Sequence, residues 1–182
     1  MIVIINYGLG NLGSILTMLK RAGAVNTIIS SDLNDIQKAS KLILPGVGAF
    51  DKAMENLKQG NYVDILNEKV LKKKTPCLGI CLGMQILFEK SEEGKLPGLG
   101  WMKGDVIKFK FKNNNTHLKI PHMGWNEARQ RKISHIFVEM FDENRFYFVH
   151  SYHVNCAEKS DILLTTNYGY EFTSGVQKKM CP

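Results

Sequence analysis

The run Pro76-Cys77-Leu78-Gly79-Ile80-Cys81-Leu82-Gly83-Met84-Gln85 constrains the fold more than any other part of the chain. Lysines and Thr75 precede it, and the run then turns apolar and reaches a cysteine flanked by glycines. A buried strand that enters a tight turn and then a helix has this pattern. The spacing predicts a strand over Pro76 to Ile80 and a helix from Leu82 to Phe88, with Cys81 lifted to the tip of a nucleophile elbow between them. Gly79 and Gly83 keep side chains out of a crowded turn. Unpaired N–H groups and the dipole at the helix start favour a thiolate on Cys81 and an oxyanion beside it. A buried structural cysteine after a core strand looks the same locally, and G-x-C-x-G alone does not separate the two.

The segments before this run alternate strand and helix. Ile2 to Asn6, Val25 to Ser30 and Lys41 to Leu44 read as apolar strands. Ser14 to Ala22, a short stretch capped by Ser31-Asp32 and ending near Lys38, Phe50 to Gln59, and Val63 to Lys73 read as helices. Continuous apolar strands between helices predict a parallel sheet covered on both faces. After the polar loop at Ser91-Glu92-Glu93-Gly94 the texture changes to strand-like pieces: Val106 to Phe111, Lys119 to Pro121, Phe146 to Val149, Ile162 to Thr166 and Glu171 to Val176. Asn113-Asn114-Asn115 and Asn155 supply turn signals. The expected architecture is α/β, a flavodoxin-like parallel sheet flanked by helices, with an antiparallel extension. No linker or repeat divides it, so residues 1–182 are expected to form one domain. Gly8-Leu9-Gly10, Pro45-Gly46-Val47-Gly48 and Cys81 all follow strands, and ligands of open parallel sheets bind at that edge.

Composition excludes several classes. A length of 182 residues suits one domain with a sizeable core. No apolar run approaches a membrane span, and the apolar start lacks the basic flank of a signal peptide. The cysteines Cys77, Cys81, Cys156 and Cys181 form neither a zinc nor a disulfide pattern, which points to a reducing cytoplasm, with no metal or cofactor required. The net charge is +7, with lysines at Lys72, Lys73 and Lys74 and at Lys108, Lys110, Lys112 and Lys119. The first group ends a helix, where lysine complements the dipole, and the second alternates with apolar residues as a solvated strand face does. A solvated basic rim, able to attract an acidic partner or a phosphorylated substrate, is expected rather than a nucleic-acid site. His117 and His135 carry no motif.

The longer string G-I-C-L-G-M-Q resembles the class I glutamine amidotransferases, which hydrolyse glutamine through a cysteine thioester and pass ammonia to a partner site. Ile5-Asn6-Tyr7-Gly8-Leu9-Gly10-Asn11-Leu12, Leu44 to Phe50, Pro121-His122-Met123-Gly124-Trp125-Asn126 and Phe148-Val149-His150-Ser151-Tyr152-His153 follow in the family's order. Together, from Met1 to about Gln177, they are most similar to the glutaminase subunit of imidazole glycerol phosphate synthase, of histidine biosynthesis. The resemblance implies Cys81 as nucleophile. It implies an oxyanion hole from the Leu82 N–H and from Gly46, Val47 or Gly48, in a loop able to flip its peptide. It implies glutamine contacts from Gln85 and from His150, Ser151 and Tyr152, the last segment mostly through its backbone. His122 and Trp125 fall on the implied rim facing a (β/α)8-barrel cyclase, the partner of a heterodimer. Trp125 reads equally well as a core anchor. No membrane or nucleic-acid partner is implied.

The family's catalytic histidine and glutamate lie in a His-Pro-Glu motif near the C-terminus. Ser174 to Lys179 reads as the approach to it, Met180-Cys181-Pro182 follows, and no His-Pro-Glu occurs in the sequence. The expectation is a chain that stops short of that motif, with impaired glutaminase activity. His150 is not expected to stand in as the base, because the family carries this histidine alongside the usual one. His153 stands where a tyrosine is expected in the histidine-pathway form. That leaves open a paralogue supplying ammonia for surface-sugar amidation. A catalytically silent binding subunit is a further reading, and an unrelated cysteine hydrolase ranks last because it leaves residues 121–126 unexplained.

Overall fold

The computed structural model describes residues 1–111, 118–137 and 144–178. The expected turn at Asn113-Asn114-Asn115, His117 and Cys181 lie outside them. The chain opens with β1 (Ile2–Ile5), α1 (Leu12–Arg21), β2 (Thr27–Ser30), α2 (Leu33–Lys38) and β3 (Lys41–Leu44). α3 (Phe50–Gln59), α4 (Tyr62–Asn67), a π-helical turn over Glu68–Lys72, β4 (Cys77–Gly79) and α5 (Leu82–Gln85) follow. The first strands form a 4-stranded parallel sheet in the order β2-β1-β3-β4. This is the expected covered sheet: Val3, Ile4, Ile5, Leu42 and Leu44 are buried. Caps set the early helices. The Asn11 side chain accepts from the Ser14 N–H and starts α1 at Leu12, ahead of the expected Ser14, and Asp32 accepts from the Asn34 N–H to start α2.

The second half builds β5 (Lys90–Ser91), β6 (Gly104–Lys108), β7 (His122–Glu127), β8 (Arg129–Gln130), β9 (Arg145–His150), β10 (Tyr152–Cys156), β11 (Ile162–Asn167) and β12 (Glu171–Val176). The expected extension is hydrogen-bonded separately from the parallel sheet. It forms a 6-stranded sheet in the order β5-β6-β10-β12-β11-β8, antiparallel except for the β5–β6 pair, and a 2-stranded ribbon of β7 and β9. One apolar core nevertheless includes Val3 and Leu44 of the first sheet and Val106 and Val154 of the second. Lys119 to Pro121 is not a strand; pairing starts at His122, opposite His150.

Lys69, inside the expected helix from Val63 to Lys73, is buried, and its ammonium donates to the carbonyls of Gln37 (2.9 Å) and Ala39 (2.7 Å). It therefore satisfies acceptors around the end of α2 that an apolar side chain would leave unpaired. Lys73 and Lys110 behave as expected, each pairing in solvent with a carboxylate, Glu68 and Glu92 respectively. Among the described residues no helix is long and apolar enough to cross a membrane.

Phe109 joins the ribbon to the larger sheet. It is 1% exposed, and its ring contacts His122, His150, His153, Tyr168, Tyr170 and Phe172. These residues come from β7, β9, β10, β12 and the turn before β12. Phe109→Ala should therefore cost about 3–5 kcal/mol of unfolding free energy, read as a lower urea midpoint at unchanged slope. A loss below about 1 kcal/mol would show that the cluster does not hold the ribbon.

Candidate active site

The loops after β1, β3 and β4 converge on the elbow. The Tyr7 hydroxyl donates to the Pro45 carbonyl at 2.6 Å. The Ile80 N–H bonds the Leu44 carbonyl at 3.0 Å and carries β4 past the end of β3. Gly46 packs so closely that a Cβ there would stand 2.9 Å from the Gly83 nitrogen, the Leu82 Cβ and the Tyr7 hydroxyl. A Cβ on Gly83 would collide with the Leu44 carbonyl oxygen. The glycines flanking Cys81 thus let the elbow backbone rest directly on the β3 loop. Cys81 itself has φ 55° and ψ −115°, a conformation that costs a non-glycine residue on the order of 1–3 kcal/mol. A strained cysteine wedged at a strand-to-helix turn is the geometry of a nucleophile elbow.

The electrostatics depart from expectation. α5 covers only Leu82–Gln85, not Leu82 to Phe88. Beyond it the N–H groups of Leu87 and Phe88 bond only three residues back, to the Met84 and Gln85 carbonyls, and the Glu89 N–H turns away to the Gly104 carbonyl. A single turn carries little macrodipole. The Cys81 side chain opens to solvent at the rim, but the protein packed around the elbow desolvates a thiolate and raises the thiol pKa. Only the Leu82 N–H pulls it down. Cys77 behaves as a structural cysteine, its thiol pushed up to about 12 by burial. β4 is the sheet edge and Leu78 is 52% exposed, so the expected fully buried strand is covered on one side only.

Gly46 is buried, while Val47 and Gly48 are exposed. Gly48 has φ +103°, a backbone conformation that favours glycine, with open space around its Cβ position. The Gln85 amide donates to the Tyr152 carbonyl at 3.0 Å and ties the elbow helix to the 150–152 segment. The Ser151 carbonyl accepts from the Phe109 N–H at 3.1 Å. His150 is bonded at both ring nitrogens, to the Tyr152 carbonyl (2.8 Å) and to His122 Nδ1 (3.0 Å), so its side chain is turned inward rather than toward a ligand. His122 is 3% exposed and is not a rim residue, in contrast to expectation. Strand alternation explains it: His122, Gly124 and Asn126 point beneath the ribbon, whereas Met123 and Trp125 of β7 and Tyr147 and Val149 of β9 point out, each more than half exposed. Burial lowers the pKa of His122 to about 4 and lowers that of His150, so both rings are neutral near pH 7.

A family model described as "Glutamine amidotransferase class-I" matches residues 3–180. The chain belongs to the class I glutamine amidotransferases. Among curated relatives, imidazole glycerol phosphate synthase subunit HisH 2 of Methanococcus maripaludis is 52% identical over 98% of this chain and 86% of its own length. Subunit HisH 2 of Pseudomonas aeruginosa is 47% identical over the same shares, and subunit HisH of Leptospira interrogans 40% over 98% and 87%. A crystal structure of a glutamine amidotransferase superposes with TM-score 0.67 at 15% identity, over 92% of this chain and 85% of that one. The crystal structure of a putative GMP synthase component from Thermoplasma acidophilum gives 0.58 at 18%, over 94% and 81%. At such identities the structural neighbours speak for the fold alone.

In this amidotransferase, sequence reasoning overlooked two site-shaping residues. Tyr7 fixes the β3 loop from below the elbow, and its position directly after β1 was the available signal. Asn126 bonds His122 at 3.3 Å and the Asn167 carbonyl at 2.9 Å, contacts that depend on a distant strand.

Because burial raises the Cys81 pKa, the thiolate fraction is small at neutral pH and grows as pH rises past the ordinary thiol value of 9.0. Alkylation of Cys81 by iodoacetamide should accordingly show a midpoint above 9.0, measured by peptide mass spectrometry. A midpoint near 7 would mean that an additional positive group faces the sulfur.

Proposed function

We propose that this chain is the glutaminase subunit of imidazole glycerol phosphate synthase, hydrolysing glutamine to glutamate and ammonia. The observation carrying the reading is the strained Cys81 elbow in a chain 52% identical to a subunit of that synthase. The Cys81 sulfur attacks the side-chain carboxamide carbon of glutamine, and the carbonyl oxygen becomes an oxyanion. The Leu82 N–H and one N–H of the Gly46-Val47-Gly48 loop receive that oxyanion. The C=O bond re-forms as the C–N bond breaks, the proton given up by the thiol ends on the departing nitrogen to make ammonia, and water then hydrolyses the γ-glutamyl thioester to glutamate and returns the thiol. Gln85 and the 150–152 segment hold the substrate. The ammonia passes to a (β/α)8-barrel cyclase that builds the imidazole ring. Cys77, Cys81 and Cys156, free among the described residues, suit a reducing compartment such as the cytoplasm.

Among the described residues, neither an imidazole nor a carboxylate is bonded to the Cys81 sulfur. Proton transfer must therefore be supplied from outside them. Assayed with its companion cyclase, a polypeptide that continues past residue 178 into a His-Pro-Glu segment should release ammonia from glutamine. Cys81→Ser should lower that rate at least about a thousand-fold. No ammonia from the continued polypeptide would overturn the assignment.

The outward face of the ribbon supports a docking role. Met123, Trp125, Tyr147 and Val149 form one exposed apolar surface, with Trp125 and Tyr147 in edge contact at 5.7 Å. The relatives are named as subunits, so the occupant proposed is the cyclase. Trp125→Ala should weaken its binding by at least about 2 kcal/mol, measured by titration calorimetry. Unchanged affinity would move the interface elsewhere.

A second reading rests on duplication. Methanococcus maripaludis holds both a HisH 2 and a HisH 1, 52% and 50% identical to this chain. Two copies leave one free to feed an amidating enzyme for surface sugars. Comparing which acceptor substrate stimulates ammonia release separates the two.

A further inference from the structure

Beneath the ribbon, four side chains and one carbonyl are bonded in series. The Asn126 amide donates to His122 Nε2 (3.3 Å), His122 Nδ1 faces His150 Nε2 (3.0 Å), and His150 Nδ1 faces the Tyr152 carbonyl (2.8 Å). The same carbonyl accepts from the Gln85 amide at 3.0 Å. The direction of every bond is determined by the ends. The Asn126 amide is oriented by two backbone groups: its Oδ1 accepts from the Glu127 N–H (2.9 Å), and its Nδ2 donates to the Asn167 carbonyl (2.9 Å). Only its N–H₂ can therefore face His122, whose Nε2 must accept. The Tyr152 carbonyl can only accept, so His150 Nδ1 must carry a proton. Between them, His122 Nδ1 donates to His150 Nε2. Both imidazoles are neutral with the proton on Nδ1, and every link holds one proton. Stacking fixes the first ring in place: His122 lies on Tyr168 at 4.0 Å and on Phe148 at 4.8 Å.

We propose that Asn126, His122 and His150 are positioning residues that hold the Tyr152 carbonyl, and through it Gln85, in register with Cys81 for glutamine binding. The proposal rests on the glutaminase reading for its ligand but not for its geometry. Gln85 lies one turn after Cys81, with its N–H bonded to the Cys81 carbonyl at 3.2 Å. A shift of the Tyr152 carbonyl would release its amide and let the side chain swing. None of the relay side chains touches the reacting atoms in this arrangement; they act through Tyr152.

The test has two arms. Long-range ¹⁵N–¹H spectra of the histidine-labelled full chain, assigned with His122→Phe and His150→Phe, read the tautomers directly. Nδ1–H at both rings is expected, although free histidine prefers Nε2–H. An Nε2–H tautomer or a charged ring at either position near pH 7 overturns the relay. In the second arm, the complex with the companion cyclase is treated with an electrophilic glutamine analogue, and labelling of Cys81 is followed against analogue concentration. His122→Phe keeps the stacked ring but removes both nitrogens. It should raise the half-saturating concentration about five- to twenty-fold, with a smaller change in the limiting rate. His122→Asn returns an N–H near the Nδ1 position without the ring and should reverse part of that rise. A purely packing role predicts the opposite order, with His122→Phe unaffected and His122→Asn impaired, and would sink the proposal. If the wild-type complex shows no saturable labelling at all, the glutaminase reading falls, while the tautomer spectra still decide the relay.

Discussion

A side chain on residue 83 would run into the Leu44 carbonyl oxygen, and one on residue 79 would come within 2.6 Å of the Gly83 carbonyl oxygen. This backbone-on-backbone contact is the constraint from which the site follows. It brings the end of β3 onto the elbow, with Gly46 packed against Leu82 and Gly83. Between Gly79 and Gly83, Cys81 takes a positive φ of 55°, uncommon for a residue with a side chain. Tyr7 completes the arrangement by anchoring Pro45 from the loop after β1.

The parallel half of the fold was legible because its signals are local. Apolar strands, Asn11 and Asp32 caps, and the break at Gly60 each act within a few residues. The departures come from distant chain. After Gln85 the chain tightens to bonds three residues back and the distant Gly104 carbonyl takes the Glu89 N–H, which nothing in Ile86-Leu87-Phe88 itself announces. Lys69 is buried because carbonyls near the end of α2 need a donor, a demand set some thirty residues away. Of the 2-stranded ribbon only β9 was legible, as Phe146 to Val149, whereas the strand placed at Lys119 to Pro121 falls just ahead of β7, since pairing of β7 with β9 is a non-local choice.

The candidate site divides in the same way. Cys81, Leu82 and the Gly46 loop could be placed from one elbow and one strand end. His122 and Trp125 share a motif, yet they face opposite sides of a strand, and membership of the motif says nothing about which side is wet. Applying the alternation of a strand to residues 122–127 would have separated them, once the strand's limits were known. Elevation of the Cys81 pKa by desolvation was the least legible property, because it depends on the mass of protein around the elbow rather than on the helix that follows it.

The ends of the histidine series decide what kind of object it is. An amide N–H₂ stands at one terminus and a peptide carbonyl at the other, and neither gains or loses a proton under ordinary conditions. A proton arriving at one ring has no exit, and reversing the order requires both imidazoles to change tautomer against two fixed termini. The series is therefore a strut and not a wire. It links the ribbon to the elbow helix through the Tyr152 carbonyl, and both nitrogens of His150 are taken up in it.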